Sequence, residues 1–272
     1  MTSERSAEGA GATSDLRIAL VQMRCEKGAV DRNLATMADY LAAACDADVV
    51  CFPEMSITGY VEPARHPRAV LRLDGPEVAR FVALTRGSPA TALAGLVEAH
   101  GAARPYITQV VARGGELLGY YRKRTIVDDE ARWFSPGEGA PPVFAHRGVP
   151  FGLAICADID DPEVFAAGTR RGARVIFEAA APGLYGAQAT RDWRAGFEWW
   201  RGECRAKLGR YARDLGVYIA VATQAGRTVD EDFPGGGYLF GPDGACLAAT
   251  PDWAEGVLEA TVPVGAGPEA GG

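Results

Sequence analysis

The stretch GLAICADIDDPE, residues 152–163, runs an apolar segment into a cysteine and follows it with four acidic residues and a proline. A buried cysteine without chemical use would sit inside such a run, yet Cys156 sits where the chain leaves it. Asp161 and Pro162 read as the N-cap and first residue of a helix, where the acid satisfies a free amide and the ring presets φ. Acids in a first helical turn are also favoured by the helix dipole. Most of the acidic run is therefore helix-start chemistry, and only Asp158 is left as a candidate for a site. Strand, turn and helix in that order are the unit of an α/β fold, in which reactive groups collect beyond the carboxyl ends of strands.

The same alternation extends in both directions. LRIALVQM (16–23) predicts a strand, and RNLATMADYLAAACDA (32–47) a helix with Leu34, Met37, Leu41 and Cys45 along one face. ADVVCFPEM (47–55) predicts a buried strand ended by Pro53, and a helix is expected from Pro76 to Thr85 before a strand at TALAGLVEA (91–99). PYITQVVARGGELLGYYRK (105–123) predicts a hairpin turning at Gly114 and Gly115. Next come a strand at ARVIFEAAAP (173–182), a long helix from about Asp192 to Leu215 with Cys204, Leu208, Tyr211 and Leu215 on one stripe, and a strand at VYIAVATQAG (217–226). GGYLFGPDGACLAAT (236–250) and EGVLEATV (255–262) are the final strands, beside turns rich in Gly, Pro and Asp. No low-complexity linker divides these elements. One α/β domain over residues 16–263 is expected, with disordered tails at 1–15 and 264–272. ADVVCFPEM and ARVIFEAAAP echo one another, which fits either two related halves or the common look of buried parallel strands.

Composition removes several classes of function. A net charge of -7 with no basic block argues against nucleic acid or an anionic membrane as partner. No run approaches the about eighteen consecutive apolar residues that a membrane span needs. The six cysteines (25, 45, 51, 156, 204 and 246) form no C-x-x-C pair, and the three histidines, His66, His100 and His146, are isolated. Neither a metal site nor a Ser-His-Asp triad is expected from that set. The N-terminus lacks a secretory signal, so free thiols in a reducing cytoplasm are the expectation.

Three polar residues fall at expected strand ends: Glu54 after VVCFP, Lys123 after GYYR and Cys156 after GLAI. Separately, each has a plain structural explanation: a solvated acid, a surface lysine, an inert core thiol. Together they form a chemical set without histidine. A thiol with its ordinary pKa of about 8.5 is mostly protonated at neutral pH, and a carboxylate can take its proton. An ammonium can then stabilise negative charge on a carbonyl oxygen under attack.

From about Leu16 to Val262 the sequence resembles the nitrilase, or carbon-nitrogen hydrolase, superfamily. FPEMSITGY is similar to its first block, YRKRTIVDDEARWFSPG to its second and ICADIDDPEVFAAGTRRGARVI to its third, in family order and at family-like distances. The resemblance implies an αββα sandwich that dimerises into an αββααββα assembly. It also implies Glu54 as general base, Lys123 as catalytic lysine, Cys156 as nucleophile and Glu130 as an additional glutamate beside the lysine. The backbone N–H of Ala157 would join Lys123 in stabilising the oxyanion, and no metal or organic cofactor is implied. Tyr60, Tyr185 and Trp193 are the side chains expected to bind substrate. The last two lie in the aromatic segment GLYGAQATRDWRAGFEWWRGE (183–203), whose Trp199 and Trp200 are expected to pack. Arg191 and Arg194 are expected at the surface.

The sequence departs from the commoner family patterns at Ile107 and Thr125, and Cys156 is followed by Ala157, Asp158, Ile159 and Asp160. An acidic loop facing the pocket would repel a carboxylate, which counts against N-carbamoyl amino acids. The absence of Trp-Glu after the cysteine counts against a true nitrilase. A small linear carboxamide, cleaved through a cysteine thioester, is the expected substrate. N-carbamoyl compounds and nitriles are the alternatives, along with a catalytically silent relative that binds a metabolite or partner.

Overall fold

The computed structural model describes residues 14–127 and 130–264. The chain builds β1 (Ser14–Gln22), α1 (Val30–Ala43), β2 (Val49–Cys51), β3 (Val70–Leu71), α2 (Pro76–Leu84), β4 (Thr91–His100), β5 (Ala103–Arg113) and β6 (Glu116–Arg122). It continues through β7 (Val143–His146), β8 (Val149–Ile155), α3 (Pro162–Arg170), β9 (Val175–Ala180), α4 (Trp193–Leu215) and β10 (Tyr218–Thr223). The last part holds β11 (Ala225–Arg227), β12 (Asp232–Pro234), β13 (Gly237–Phe240), β14 (Cys246–Ala249) and β15 (Gly256–Val264). One sheet has the order β15-β1-β2-β4-β5-β6 with β3 beside β4, and a second has β14-β13-β10-β9-β8-β7. β1, β2 and β4 are mutually parallel at the centre of the first, as are β8, β9 and β10 in the second.

Alternation along each strand makes the layers. Leu16, Ile18 and Leu20 of β1 belong to the core shared with Phe151, Phe177 and Ile219 of the second sheet, whereas Ala19 and Val21 pack with Met37 and Leu41 of α1 and Phe81 of α2. On the far side, Phe165 of α3 and Trp200 and Leu208 of α4 are buried over the second sheet. Helices, sheet, sheet and helices therefore stack as αββα, each sheet facing the other with one set of side chains and its helices with the next. No helix among the described residues is long and apolar enough to cross a membrane.

Several boundaries move. β1 pairs with β15 from Ser14 opposite Val264 to Gln22 opposite Gly256, so Asp15 and Val264 lie in a ladder and not in the tails expected at 1–15 and 264–272. The rest of those tails, 1–13 and 265–272, lies outside the described residues. Cys45 is exposed, because α1 ends at Ala43 and the chain turns before the periodic stripe reaches it. GGYLFGPDGACLAAT is a hairpin, β13 and β14, and the short pair β11 and β12 had no apolar period to announce it. The Gly114-Gly115 turn stands as expected, both residues having the positive φ that glycine adopts without strain.

Glu178 is the anomaly of the second sheet. It sits in β9 between Ala154 and Val221, fully buried, and neither carboxyl oxygen has a hydrogen-bond partner among the described residues. Burial, reinforced by the negative charges of Asp158 and Glu54, pushes its carboxyl well above the ordinary range. A carboxyl whose pKa is higher in the folded than in the unfolded chain takes nothing from stability below its unfolded value and progressively more as pH rises towards its folded one. Glu178→Met should therefore raise stability by about 1–3 kcal/mol, and by more at about pH 8 than at about pH 5. Urea unfolding at both pH values reads this, and an equal gain at both would contradict it.

Candidate active site

Glu54, Lys123, Glu130 and Cys156 converge at the carboxyl edge between the two sheets. Glu54 follows β2 and Cys156 follows β8, both central parallel strands. Lys123 reaches the same edge because β6 is antiparallel to β5 and β5 to β4, so β6 runs in the direction of β4. The Glu54 loop lies directly on β4: Phe52 N–H donates to Leu93 O (2.9 Å), Ile57 N–H to Gly95 O (2.8 Å) and Gly95 N–H to Ser56 Oγ (3.0 Å). A Cβ on Gly95 would stand 2.2 Å from the Met55 nitrogen, so only glycine permits this approach. Met55 and Cys156 both hold left-handed backbone, at φ 50° and 46°, which costs energy for a side-chain-bearing residue. Both sharp turns aim a reactive neighbour or the residue itself out of its strand.

The Lys123 ammonium is fully buried and hydrogen-bonds Glu54 Oε1 at 2.9 Å and Glu130 Oε1 at 2.7 Å. The Tyr60 hydroxyl donates to the same Glu130 oxygen, and Val127 N–H to the other at 3.2 Å. On the opposite side Ala181 N–H donates to Glu54 Oε2 at 3.1 Å. One buried carboxylate thus bridges the ammonium and the Ala181 amide.

The electrostatics divide the proton work. Burial, opposed by the Lys123 charge and helped by Glu130, leaves Glu54 pushed up to about 6. Burial alone would lower Lys123, but the charges of Glu54, Cys156 and Glu130 outweigh it and hold the ammonium above its ordinary value. Burial and the Glu54 charge raise the Cys156 thiol well above its ordinary range against the pull of Lys123. At rest the sulfur is a thiol and the lysine an ammonium, so Glu54 is the group able to exchange a proton near neutrality.

Asp158 holds the frame. Fully buried, it accepts hydrogen bonds from Tyr121 Oη (2.8 Å), Thr125 N–H (2.9 Å) and Ile155 N–H (3.0 Å). Burial raises its carboxyl and the three donors oppose the rise. Ile155 precedes Cys156 and Thr125 lies two residues past Lys123, so one carboxylate fastens the turn of Cys156 to that of Lys123. Asp158 therefore does not present a charge to the pocket, as the acidic-loop reading supposed; of that loop, Asp160 is the acid on the cavity wall.

That cavity, about 550 Å³, opens onto Cys156, Lys123, Glu130 and Tyr60. Tyr185 reaches its rim with 91% of its surface exposed. Trp193 is not on its wall: it is half-buried beneath the Arg227 guanidinium, 5.9 Å from the ring centre. Ala157 is buried in the turn behind Cys156. Trp200 is buried as expected, its indole N–H on Thr223 Oγ1 at 2.8 Å, and both it and the more exposed Trp199 border the cavity. Arg191, expected at the surface, is drawn in by the buried carboxylate of Asp232 (3.1 Å) and by backbone carbonyls of Leu184 and Gly186. Ala181 and the anchoring role of Asp158 were missed. A backbone amide leaves no side-chain signal, and an aspartate turned inward looks like one turned out. Among the described residues no group of three or more His, Cys, Asp or Glu is placed to hold a metal.

The family model described as carbon-nitrogen hydrolase matches residues 17–268. The chain is 32% identical over 252 residues to a glutamine-dependent NAD(+) synthetase of Xanthomonas campestris pv. campestris, covering 87% of this chain and 42% of that protein. It is 31% identical over 162 residues to an (R)-stereoselective amidase of a Pseudomonas species, covering 59% of this chain and 58% of that one. The chain thus spans less than two thirds of the length of either relative. Among solved structures, a glutamate-to-glutamine mutant of the amidase from Nesterenkonia sp. AN1 superposes with a TM-score of 0.79 at 26% identity, covering 94% of both chains. In that structure the acetamide moiety of fluoroacetamide is covalently added at the active-site cysteine.

The anchoring by Asp158 is open to a direct comparison within one loop. Asp158→Ala orphans three donors, at about 1–3 kcal/mol each. Asp161→Ala removes only the α3 cap on Glu163 N–H (3.0 Å), worth about 1 kcal/mol. Urea unfolding should rank Asp158→Ala clearly below Asp161→Ala, and equal losses would rule out the anchor.

Proposed function

The chain belongs to the carbon-nitrogen hydrolase family, and from that premise we propose that it hydrolyses a small linear carboxamide to an acid and ammonia or amine through a Cys156 thioester. The observation that carries this reading is the single buried carboxylate of Glu54, hydrogen-bonded to the Lys123 ammonium and near enough to the Cys156 thiol for its charge to raise that thiol. The sulfur, as it attacks the amide carbonyl, passes its proton to Glu54. Lys123 and the Ala157 N–H stabilise the oxyanion. Glu54 returns the proton to the nitrogen as the C–N bond breaks. Water, giving a proton to the same carboxylate, then cleaves the thioester and restores the thiol. Glu130 and Tyr60 work on Lys123 from behind: by keeping it charged, they leave Glu54 as the proton carrier.

Asp160 and Glu203 on the cavity wall weigh against N-carbamoyl amino acids, whose carboxylate they would repel. Glutamine is a second substrate to test, because the matched synthetase is glutamine-dependent. The homodimer implied by the family resemblance is carried as a proposal and is read by sedimentation.

Ammonia release from a panel of linear amides, glutamine, carbamoyl compounds and nitriles should favour the amides. The rate should rise with pH through about 6, where Glu54 ionises and becomes able to accept the thiol proton. Cys156→Ser should abolish turnover while keeping the fold, and turnover at the parent rate would refute the thioester route. In a Cys45→Ser background, which removes the exposed thiol, chloroacetamide should modify Cys156 first and should do so far more slowly in Glu54→Gln. Uniform slow labelling of the remaining cysteines would instead favour a silent binding protein.

A further inference from the structure

Three lysines reach the cavity, and each ends between two carboxylates. Lys123 lies between Glu54 and Glu130. Lys27 Nζ is 2.6 Å from Asp230 Oδ1 and 2.9 Å from Glu231 Oε2. Lys207 Nζ is 2.6 Å from Asp160 Oδ1 and 2.7 Å from Glu203 Oε2. In each group the ammonium spends two of its three donors on carboxylates that retain spare lone pairs. Each group therefore keeps one negative charge in excess and leaves a ligand more acceptors than donors. Glu62, also on the wall, is matched by Arg65 at 2.9 Å. Arg132 borders the cavity as well, and one cation does not offset three such groups.

The ligand-binding feature is the cavity in front of the Cys156 thiol; the charges decide what enters it. One of the outer groups is tied to that thiol by local geometry. Asp160 ends the 3-10 turn that Cys156 begins, and at about 2 Å per residue lies about 8 Å further along it. Trp199, Glu203 and Lys207 recur at every fourth residue of α4 and so share the helix face that borders the cavity. Trp199 is 44% exposed, which leaves ring surface free to stack on a cation.

We propose that the substrate of this site is a short amide carrying an ammonium at the end remote from the scissile carbonyl, received by Asp160 and Glu203 beside Trp199. The proposal rests on the amide-hydrolase reading above and specifies its substrate class. A cationic end meets surplus acceptors and an aromatic face, a neutral end meets the ring alone, and an anionic end is repelled.

Three amides of similar length and different charge test it: 4-aminobutanamide, pentanamide and the monoamide of glutaric acid. Calorimetric titration of the Cys156→Ala protein at mildly alkaline pH should bind them in that order, the cation about tenfold tighter than the neutral amide, with the gap narrowing at high salt. Glu203→Gln should shrink the ratio of cationic to neutral affinity and Lys207→Met should enlarge it. A packing defect in α4 would move both in one direction. Affinity indifferent to charge, preference for the anion, or no binding of any of the three at millimolar concentration overturns the proposal. Ammonia release by the unmodified protein is scored separately: ordered binding without turnover upholds the charge preference and overturns the hydrolase reading.

Discussion

The site depends on taking one ammonium out of water. The Lys123 side chain has no exposed surface, and an unpaired charge so placed would cost several kcal/mol even after relaxation of its surroundings. Its two counter-ions come from the end of β2 and from the turn at Glu130, while its own backbone is held by Ile107 and Gly137 (2.8 and 2.7 Å). Neither counter-ion is a chain neighbour of the lysine: Glu130 is 7 residues away and Glu54 69. The chain must close its hairpin, seat the Glu54 loop on β4 and fold the Glu130 turn back before the ammonium is stable, so completing the fold and assembling the candidate site are one event. The same arrangement fixes chemical roles, because a lysine gripped by two carboxylates keeps its proton and leaves the exchangeable one on Glu54.

How far this could be read in advance follows from where each signal lives. Glu54 and Cys156 were legible because each follows a buried apolar strand, where a polar residue contrasts with what precedes it, and Lys123 because it follows the hairpin strand and supplies the cation that chemistry with the other two requires. Glu130 was legible only through resemblance, since nothing in its own surroundings distinguishes it from the acids beside it. Asp158 was half-legible: its place next to Cys156 was noticed, but an aspartate that faces three donors and one that faces solvent are spelled alike. Trp193 and Arg191 failed for a related reason. Their positions are set by Arg227 and Asp232, more than thirty residues away in sequence, and aromatic content cannot say which ring turns towards a cavity. Cys45 failed because periodicity continues in the letters after the helix has stopped.

The two sheets divide the labour. The first contributes the acid and the ammonium through β2 and β6, and the second contributes the sulfur and the Ala181 amide through β8 and β9. Parallel strands at both centres bring their carboxyl ends to one edge, and Asp158 spans the seam by binding amide or hydroxyl donors from both sides. Such a seam fixes the distance between Cys156 and Glu54 through the packing of the sheets and leaves little of it to loop conformation.

The pairing of β1 with β15 has a consequence of a different kind. Ser14 and Val264, the first and last described residues, are partners in an antiparallel ladder, about 5 Å apart between Cα atoms. A folding unit that takes in and releases its chain at one point can be set within a longer polypeptide at little cost, since a host gains no gap to bridge. It can also be rejoined end to end and reopened elsewhere, with the exposed turn at Gly114 and Gly115 a natural place for the new ends. The closing strand is thus what makes this hydrolase fold portable as a module.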